Sequence, residues 1–233
     1  MARSELGTRE FFAELELCHF EKLDYLPRVV NYSAYYDMTL LEVGCGLGFD
    51  LGRFASGGAF VTGIDISEKT IELARRNFKI HGIDGGLSPM NGENLQFSNC
   101  SLDVVYSHGV LSYTNDAKQM INEVHRVFKP GGEAILMMHH RNSWLFYLAD
   151  LFGFKLECEN APVFKTYSIG EIKKMLVNFS FVETLTARFP VKTRVHKGIM
   201  GRVYNYLFVL VFKLLPKSMV NSIGAHLMAR ANK

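Results

Sequence analysis

The 233-residue sequence has little proline, little cysteine and no long uninterrupted apolar run. Its 6 Pro and 20 dispersed Gly exclude a collagenous or low-complexity chain, and its 18 Phe and 10 Tyr provide enough apolar surface to exclude general disorder. The 26 basic and 23 acidic residues nearly balance, so the composition does not indicate a nucleic-acid-binding surface. This length suits one α/β domain with embellishments better than two full domains.

The four cysteines are too far apart in sequence to form a C-x-x-C pair, and no histidine spacing completes a zinc site. The first ten residues are charged rather than apolar, unlike a secretory signal peptide. These features predict a reducing, cytoplasmic setting. Crossing a bilayer takes about 20 apolar residues, so the shorter run at 203–212 predicts a buried or interfacial helix.

Strands and helices alternate in the middle of the chain. The apolar patterns predict strands at 38–43, 59–64, 87–90, 102–106 and 133–138, and helices at 49–56, 70–80 and 117–128. A sharp turn is predicted at 129–132, because Lys-Pro-Gly-Gly cannot continue a helix. Such alternation predicts a mainly parallel sheet, which binds ligands at the carboxyl ends of its strands.

The flanking regions are predicted to pack on this sheet. Residues 1–37 are predicted to be helical. The last third of the chain is predicted to add a helix at 169–177, strands at 181–185 and 225–229, and the apolar helix between those two strands.

Three glycines, Gly44, Gly46 and Gly48, follow the first predicted strand and precede a helix. Glycine permits a tight turn and close approach of a ligand to the backbone, and the helix offers free N–H donors. Asp65 ends the next strand, 21 residues after Gly44, where a carboxylate can accept both hydroxyls of a ribose. Phe49 replaces the third glycine of dinucleotide-binding proteins, which disfavours a nicotinamide-dependent dehydrogenase. A turn whose glycines serve only packing is the alternative.

Five motifs, in order between residues 38 and 139, resemble class I S-adenosylmethionine-dependent methyltransferases of the small-molecule group that includes ubiquinone and menaquinone biosynthesis. The motifs are residues 41–48, 63–67, 91–97, 102–111 and 129–132. The resemblance implies an α/β, doubly wound Rossmann-like sheet of seven mostly parallel strands, with the last strand antiparallel. It also implies S-adenosyl-L-methionine as the cofactor and S-adenosyl-L-homocysteine as the product.

The same resemblance implies three parts of one domain. Residues 1–37 would form an N-terminal helical lid, and 38–139 the cofactor-binding core. Residues 140–233 would supply acceptor-side helices, the final strands and an apolar helical insertion before the last strand.

By this resemblance, the cofactor lies across the carboxyl ends of the strands. The glycine turn would pass under its methionine part, Glu42 would orient the ammonium group, and Asp65 would hold the ribose. The implied cofactor-binding residues are Glu42, Gly44, Cys45, Gly46, Gly48, Asp65, Ile66, Asn91, Gly92, Glu93, Asn94, Ser107 and His108. The family often has Asp and Pro where this chain has Asn91 and Gln96. The Asn91 amide oxygen can still accept a bond from the adenine amine, but without charge.

Three histidines are the candidate general bases. Methyl transfer from a sulfonium is an in-line displacement, so an enzyme supplies mainly alignment and a dry site, and a base only if the acceptor loses a proton. His108 follows the fourth predicted strand, and His139 and His140 end the fifth. Histidine titrates near neutrality, which suits this task. For each of the three, a packing role is the alternative.

The acceptor contacts are predicted at both ends of the chain's core. The tyrosines before the first strand would close the site as a lid, and Arg141 would clamp an anionic acceptor. The candidate residues are Tyr25, Tyr35, Tyr36, Tyr113, Arg141 and Trp144. Basic residues at 192–202 before the apolar run favour an anionic or lipid-like acceptor and allow peripheral membrane contact. Either a monomer or a homodimer is compatible with the sequence, and no nucleic-acid partner is expected.

Two other functions compete with small-molecule methylation. A catalytically silent module would keep the fold and bind the nucleoside without turnover. An RNA or protein methyltransferase is less well supported, because the fourth strand leads into Ser107-His108-Gly109-Val110 rather than an Asn-Pro-Pro-Tyr motif.

Overall fold

A seven-stranded sheet forms the centre of the protein in a computed structural model that describes residues 4–153, 155–190, 206, 209–216, 220 and 222–233. The strands are β1 Thr39–Val43, β2 Phe60–Asp65, β3 Gly86–Pro89, β4 Leu102–His108, β5 Phe128–His139, β6 Phe181–Ala187 and β7 His226–Asn232. Their order is β3-β2-β1-β4-β5-β7-β6, and β7 runs antiparallel to both of its neighbours. The predicted fold class, with an antiparallel last strand, is confirmed.

Helices cover both faces of this sheet. They are α1 Arg9–Lys22, α2 Leu26–Val29, α3 Phe49–Ser56, α4 Glu68–His81, α5 Ala117–Val127, α6 Trp144–Phe152, α7 Ile169–Met175 and α8 Val209–Leu214. Several begin where a side-chain oxygen caps the first turn: Ser67 accepts from the Thr70 N–H, and Asp116 accepts from the Gln119 N–H. The helical character predicted for residues 1–37 is confirmed by α1, α2 and a short 3₁₀ helix at Tyr32–Tyr35.

Alternate side chains of each strand enter two separate cores. Leu41 and Val105 face one core, which α5 and α7 complete. Leu40 and Tyr106 face the other, where the Phe54 ring of α3 packs against Tyr106 at 5.1 Å between ring centroids. Because the central strands are buried on both faces, they read in sequence as continuous apolar runs. The sheet therefore offers ligands its carboxyl edge rather than a face.

The prediction of a turn at residues 129–132 was wrong in its placement. These residues lie inside β5, which begins at Phe128 opposite Leu102. The register shifts between Leu102 and Val104, and Gly131 adopts a φ of +80° that only glycine takes without strain. A bulge at the start of β5 therefore replaces the expected turn.

The apolar run at 203–212 is only partly described. Its described end belongs to α8, and most of residues 203–208, together with the basic residues Lys192, Arg194, His196, Lys197 and Arg202, lies outside the described residues. Among the residues that the structure describes, no helix is long and apolar enough to span a bilayer.

The position of β7 determines what meets at the carboxyl edge. His226, its first residue, pairs with His139 at the end of β5 and with Ala187 at the end of β6. Because β7 is antiparallel, its beginning lies beside the ends of its neighbours. Residues from opposite ends of the sequence are thereby placed together next to His108, the last residue of β4.

Candidate active site

The glycine turn between β1 and α3 is built from backbone conformations that favour glycine. Gly44, Gly46 and Gly48 have φ values of +75°, +54° and +79°. A Cβ on Gly44 would lie 2.1 Å from Val110 and one on Gly48 would lie 2.6 Å from Phe78, so these two glycines also serve packing. A Cβ on Gly46 would meet nothing within 4 Å. The turn therefore leaves an open space directly above Gly46.

Three hydrogen bonds fix the turn to the sheet and to α4. The N–H groups of Gly44 and Cys45 donate to the Ile64 carbonyl at 2.7 and 2.9 Å. The buried Asn77 side chain of α4 donates to the Leu47 carbonyl at 2.9 Å. Burial raises the pKa of the Cys45 thiol, with a further contribution from Glu42, so this cysteine stays a neutral packing group.

Glu42 lies buried beneath this turn, and its Oε2 atom has no hydrogen-bond partner among the described residues. Burial raises the pKa of Glu42 well above its ordinary value, and the nearby Asp50 carboxylate raises it further. An unpartnered buried carboxyl oxygen is costly unless a donor or cation pairs with it. Its place beside the open space at Gly46 suits a ligand that carries an ammonium group.

Asp65 holds the turn and the next helix through its carboxylate. Its Oδ2 accepts from the Gly46 N–H at 3.2 Å, and its Oδ1 accepts from the Ser67 N–H at 2.9 Å. Each carboxylate oxygen keeps a further lone pair, so Asp65 can also accept hydroxyl groups. The neighbouring Ile66 side chain is 77% exposed, which leaves an apolar surface beside the carboxylate.

The loop after β3 does not present all the side chains expected to contact adenine. The Asn91 amide oxygen accepts from the Glu93 N–H at 2.9 Å, and both Asn91 and Asn94 are exposed. The Glu93 carboxylate instead accepts from the Thr114 hydroxyl and, at 3.0 Å, from the Asp116 N–H. These two bonds lower the pKa of Glu93. Glu93 therefore stabilises the segment after β4. The exposed Asn91 and Asn94 are the side chains available to contact the adenine ring.

The residues at this edge fit S-adenosyl-L-methionine, the cofactor that the sequence motifs imply. An open cradle at Gly46, an orphaned carboxyl oxygen on Glu42, a carboxylate with free lone pairs at Asp65 and an exposed apolar Ile66 match an ammonium group, a ribose and a base. Gly92 keeps the loop close, since a Cβ there would lie 2.7 Å from Val43.

The predicted histidines separate into two environments. His108 and His139 are half-buried at the carboxyl edge, and burial lowers the pKa of each to about 4. The Nδ1 atom of His139 is buried without a hydrogen-bond partner among the described residues. His140 is buried, on the opposite face from His139 by strand alternation, and its Nδ1 lies 3.0 Å from the Gly224 carbonyl. The structure therefore brings two of the three candidate bases together.

Ser107 is also a structural contact. Its buried hydroxyl donates to the Val43 carbonyl at 3.1 Å and joins β4 to β1. This bond holds the two strands that carry Glu42 and His108 in register.

The tyrosines predicted to contact the acceptor lie in different parts of the structure. Tyr25 reaches the site, where its hydroxyl lies 3.0 Å from His108 Nε2. Tyr35 donates to Glu133 at 2.7 Å near the beginning of β5, and Tyr36 is 75% exposed beside Gly58. Both lie at the amino edge of the sheet, so their predicted place in the acceptor site was wrong. The chain enters β1 from that edge, which carries the residues just before the strand away from the ligand side.

The contacts predicted after β5 divide in the same way. Tyr113 and Phe164 surround His139, with ring centroids 5.7 and 5.1 Å from the imidazole. Arg141 is exposed and pairs with Glu171 at 3.0 Å. The Trp144 indole N–H donates to the Arg188 carbonyl at 3.0 Å. Tyr113 thus lines the site, whereas Arg141 and Trp144 stabilise its surroundings.

Several residues that sequence patterns did not single out also occupy this edge. His226 and Arg188 join the site from β7 and the end of β6, with Arg188 Nη1 2.9 Å from His226 Nε2. Asp50, buried in the first turn of α3, lies 3.1 Å from His19 Nε2 and accepts from the Tyr32 hydroxyl at 2.6 Å. Asp50 follows the glycine turn directly, so its position was a usable signal. The other residues depend on long-range topology, for which no local pattern exists.

In a comparison with known protein families, residues 41–136 match the family described as "Methyltransferase domain". A bifunctional biotin biosynthesis protein of Cellvibrio japonicus is 35% identical over 49% of this chain and 21% of its own length. A malonyl-[acyl-carrier protein] O-methyltransferase of Erwinia pyrifoliae is 34% identical over 42% and 36%, respectively. A ubiquinone biosynthesis O-methyltransferase of Caulobacter vibrioides is 34% identical over 52% and 47%. The chain thus spans about half or less of these curated relatives.

Solved structures share the fold over nearly the whole chain. The YcgJ protein of Bacillus subtilis superposes with a TM-score of 0.62 over 92% of this chain and 98% of its own, at 14% identity. A methyltransferase of Thermotoga maritima, described as a possible histamine N-methyltransferase, gives 0.60 over 96% and 92%, at 17% identity. At these identities the likeness establishes the fold alone.

Proposed function

We propose that this chain transfers the methyl group of S-adenosyl-L-methionine to a small-molecule acceptor, because residues 41–136 match a methyltransferase family. One observation carries the proposal: the buried Glu42 carboxyl, whose Oε2 has no partner among the described residues, lies under the open glycine turn. The half-buried His108 and His139 lie at the same edge of the sheet. A cradle for a cationic nucleoside and the proposed chamber for a second molecule are thereby adjacent.

The bound cofactor supplies a methyl group on a positively charged sulfur, which is already electrophilic. Glu42 binds the ammonium end, and Asp65 accepts the ribose hydroxyls while it holds Gly46 in place. Ile66 and the exposed Asn91 and Asn94 face the base. These residues orient the nucleoside before reaction, which supplies most of the rate enhancement available to a displacement.

The proposed acceptor chamber is bordered by aromatic rings. Tyr113, Phe164 and Phe146 are neighbours in this wall, with Phe164 centroids 5.6 and 6.0 Å from those of Tyr113 and Phe146. His139 lies against the same rings. With a pKa lowered to about 4 by burial and Arg188, His139 is neutral at pH 7 and keeps a lone pair. It accepts the proton where the acceptor must lose one.

An apolar surface beyond this chamber supports a lipid-like acceptor and peripheral membrane contact in the cytoplasm. Leu151 and Phe152 of α6 are 73% and 71% exposed, and Leu214 of α8 is 77% exposed. The Trp144 and Phe212 rings join these two helices at 5.5 Å between centroids. Single exposed apolar residues are ordinary, but a contiguous group marks an interaction surface.

The test of cofactor binding is Asp65→Ala measured by calorimetry with S-adenosyl-L-homocysteine. Loss of charge-assisted hydrogen bonds to the ribose costs about 2–3 kcal/mol, or roughly 30- to 150-fold in Kd. The matched control is Asp84→Ala, which removes an exposed carboxylate before β3 at the opposite edge and leaves Kd unchanged. Equal affinity of both variants and wild type would remove Asp65 from the binding site.

A further inference from the structure

Four side chains form a continuous hydrogen-bond chain across the acceptor side of the site. Arg188 Nη1 lies 2.9 Å from His226 Nε2, and His226 Nδ1 lies 2.6 Å from the Tyr25 hydroxyl. The same hydroxyl lies 3.0 Å from His108 Nε2. The chain thus joins the end of β6 to the end of β4 through the N-terminal segment.

The chemistry of its first member sets the direction of every bond. A guanidinium has N–H donors and no acceptor, so Arg188 donates and His226 Nε2 accepts. A neutral imidazole carries one proton, which therefore lies on His226 Nδ1 and is donated to the Tyr25 oxygen. The single Tyr25 proton is then left for His108 Nε2. His108, in turn, carries its own proton on Nδ1.

The opposite direction would place two donors face to face. If His108 donated from Nε2 to Tyr25, then Tyr25 would donate to His226 Nδ1, and His226 would point an Nε2–H at Arg188. A doubly protonated His226 would make the same clash and would add a second buried cation, which burial and Arg188 both oppose by lowering the pKa of His226. If the Tyr25 oxygen instead accepted from both imidazoles, its own buried O–H would have no acceptor among the described residues. The arrangement therefore has one direction that satisfies every donor.

The backbone at Arg188 adopts an uncommon conformation that its neighbours stabilise. Arg188 has a φ of +60°, a conformation that costs a non-glycine residue free energy unless the surroundings impose it. Its carbonyl accepts from the Trp144 indole N–H at 3.0 Å and from the Ala225 N–H at 3.2 Å. Both contacts fix the backbone from which the Arg188 side chain extends toward His226.

We propose that Arg188 is a positioning residue that, through His226 and Tyr25, holds His108 in the tautomer with its proton on Nδ1. Among the described residues, Nδ1 of His108 has no hydrogen-bond partner, so this N–H is free to meet a ligand. His108 then serves as a hydrogen-bond donor to an oxygen with a lone pair, such as a phenolate, carboxylate or carbonyl. The role toward an acceptor rests on the proposed function, whereas the tautomer does not.

The test is the nitrogen NMR spectrum of the histidine rings in ¹⁵N-labelled, ligand-free protein, where protonated and unprotonated ring nitrogens resonate far apart. We expect wild type to show a protonated Nδ1 and an unprotonated Nε2 on His108. Arg188→Met, which keeps an apolar stem but no donor, and Tyr25→Phe should both shift His108 toward a mixture of tautomers. Arg188→Lys restores a donor without an acceptor and should keep the wild-type pattern.

Two results would overturn the inference: a protonated Nε2 on His108 in wild type, or an unchanged tautomer in Arg188→Met. Well-dispersed amide spectra identify folded variants, and Arg188→Lys is the comparison if Arg188→Met does not fold. If wild type shows the expected tautomer but no acceptor is methylated, the proposed function fails and the positioning role of Arg188 stands.

Discussion

Two buried carboxyl groups beside the glycine turn occupy opposite electrostatic states. Burial alone would raise the pKa of Asp50, but hydrogen bonds from His19 at 3.1 Å and Tyr32 at 2.6 Å outweigh it and lower that pKa. Glu42 lacks such donors at Oε2 and lies near the Asp50 charge, so its pKa rises. In the ligand-free site, Asp50 is thus ionised, whereas the Glu42 carboxyl has an oxygen that a cationic ligand could pair with.

Replacing Glu42 by Gln should stabilise the ligand-free protein and weaken cofactor binding. Because the native pKa of Glu42 exceeds its ordinary value of 4.5, the native state binds more protons than the unfolded chain, and wild-type stability falls as pH rises above that value. Gln does not titrate, so its advantage in thermal unfolding should grow from pH 5 to pH 8. Calorimetry should show binding of S-adenosyl-L-homocysteine weakened by about 10- to 150-fold, the loss of a charge-assisted hydrogen bond.

The outcome against this account is a Glu42→Gln variant that is less stable than wild type at pH 8, or that binds equally well. The first would mean that Glu42 is paired in the native protein. The second would mean that the ligand does not reach it.

The N-terminal helix α1 is fixed to the site by polar contacts at both of its ends. Arg9 donates to the Ile80 carbonyl of α4 at 2.6 Å, and His19 bonds Asp50 at the beginning of α3. The segment after α1 then contributes Tyr25 to His108. Phe12 of α1 is also fully buried, so the helix is docked by apolar as well as polar contacts, and its role as a lid stays a prediction.

Loss of the His19 contact should open α1 without unfolding the sheet. His19→Ala leaves the buried Asp50 oxygen without this partner, which costs about 1–2 kcal/mol of local stability. Amide hydrogen exchange in α1 should therefore be roughly 5- to 30-fold faster, while α4 stays protected. His81→Ala is the control, since His81 bonds the Asn77 carbonyl within α4. Equal exchange in α1 for both variants would refute a role of His19 in docking this helix.

The accuracy of the sequence predictions follows from how local each feature is. The glycine turn and Asp65 were predicted because strand, turn and acid are encoded within about 25 residues. Tyr35 and Tyr36 were misplaced because their side of the sheet depends on the direction in which the chain enters β1. The sequence position of Glu93 predicted a contact with adenine, but its carboxylate accepts hydrogen bonds from Thr114 and Asp116 instead.

At the scale of the whole molecule, the set of residues on the acceptor side depends on the position of β7 in the sheet. β7 enters the sheet between β5 and β6, and only this antiparallel insertion brings His226 beside His139 and Arg188 beside His226. β7 begins 87 residues after the end of β5, and no periodicity in the sequence indicates that these two strands pair. The division of the chain into a lid, a core and an acceptor-side segment stays a prediction.

Ligand-linked stability of the whole chain tests whether the cofactor binds, and product formation then distinguishes an enzyme from a silent nucleoside-binding module. At a ligand concentration of 100 times Kd, S-adenosyl-L-methionine should stabilise the protein by about 2.7 kcal/mol, which raises Tm by roughly 5–10 °C for a chain of this size. In Asp65→Ala, binding that is about 100-fold weaker leaves about 0.4 kcal/mol at the same concentration.

Stabilisation alone would fit both functions, so the same samples should be assayed for S-adenosyl-L-homocysteine with small aromatic and lipid-like acceptors. We expect product with wild type and a loss of turnover in His139→Phe, which keeps an aromatic ring beside Tyr113 and Phe164 but offers no lone pair. Thermal stabilisation without product in any acceptor would favour the silent module. Turnover equal to wild type in His139→Phe would show that the acceptor reacts without this base, because the ring itself would be sufficient.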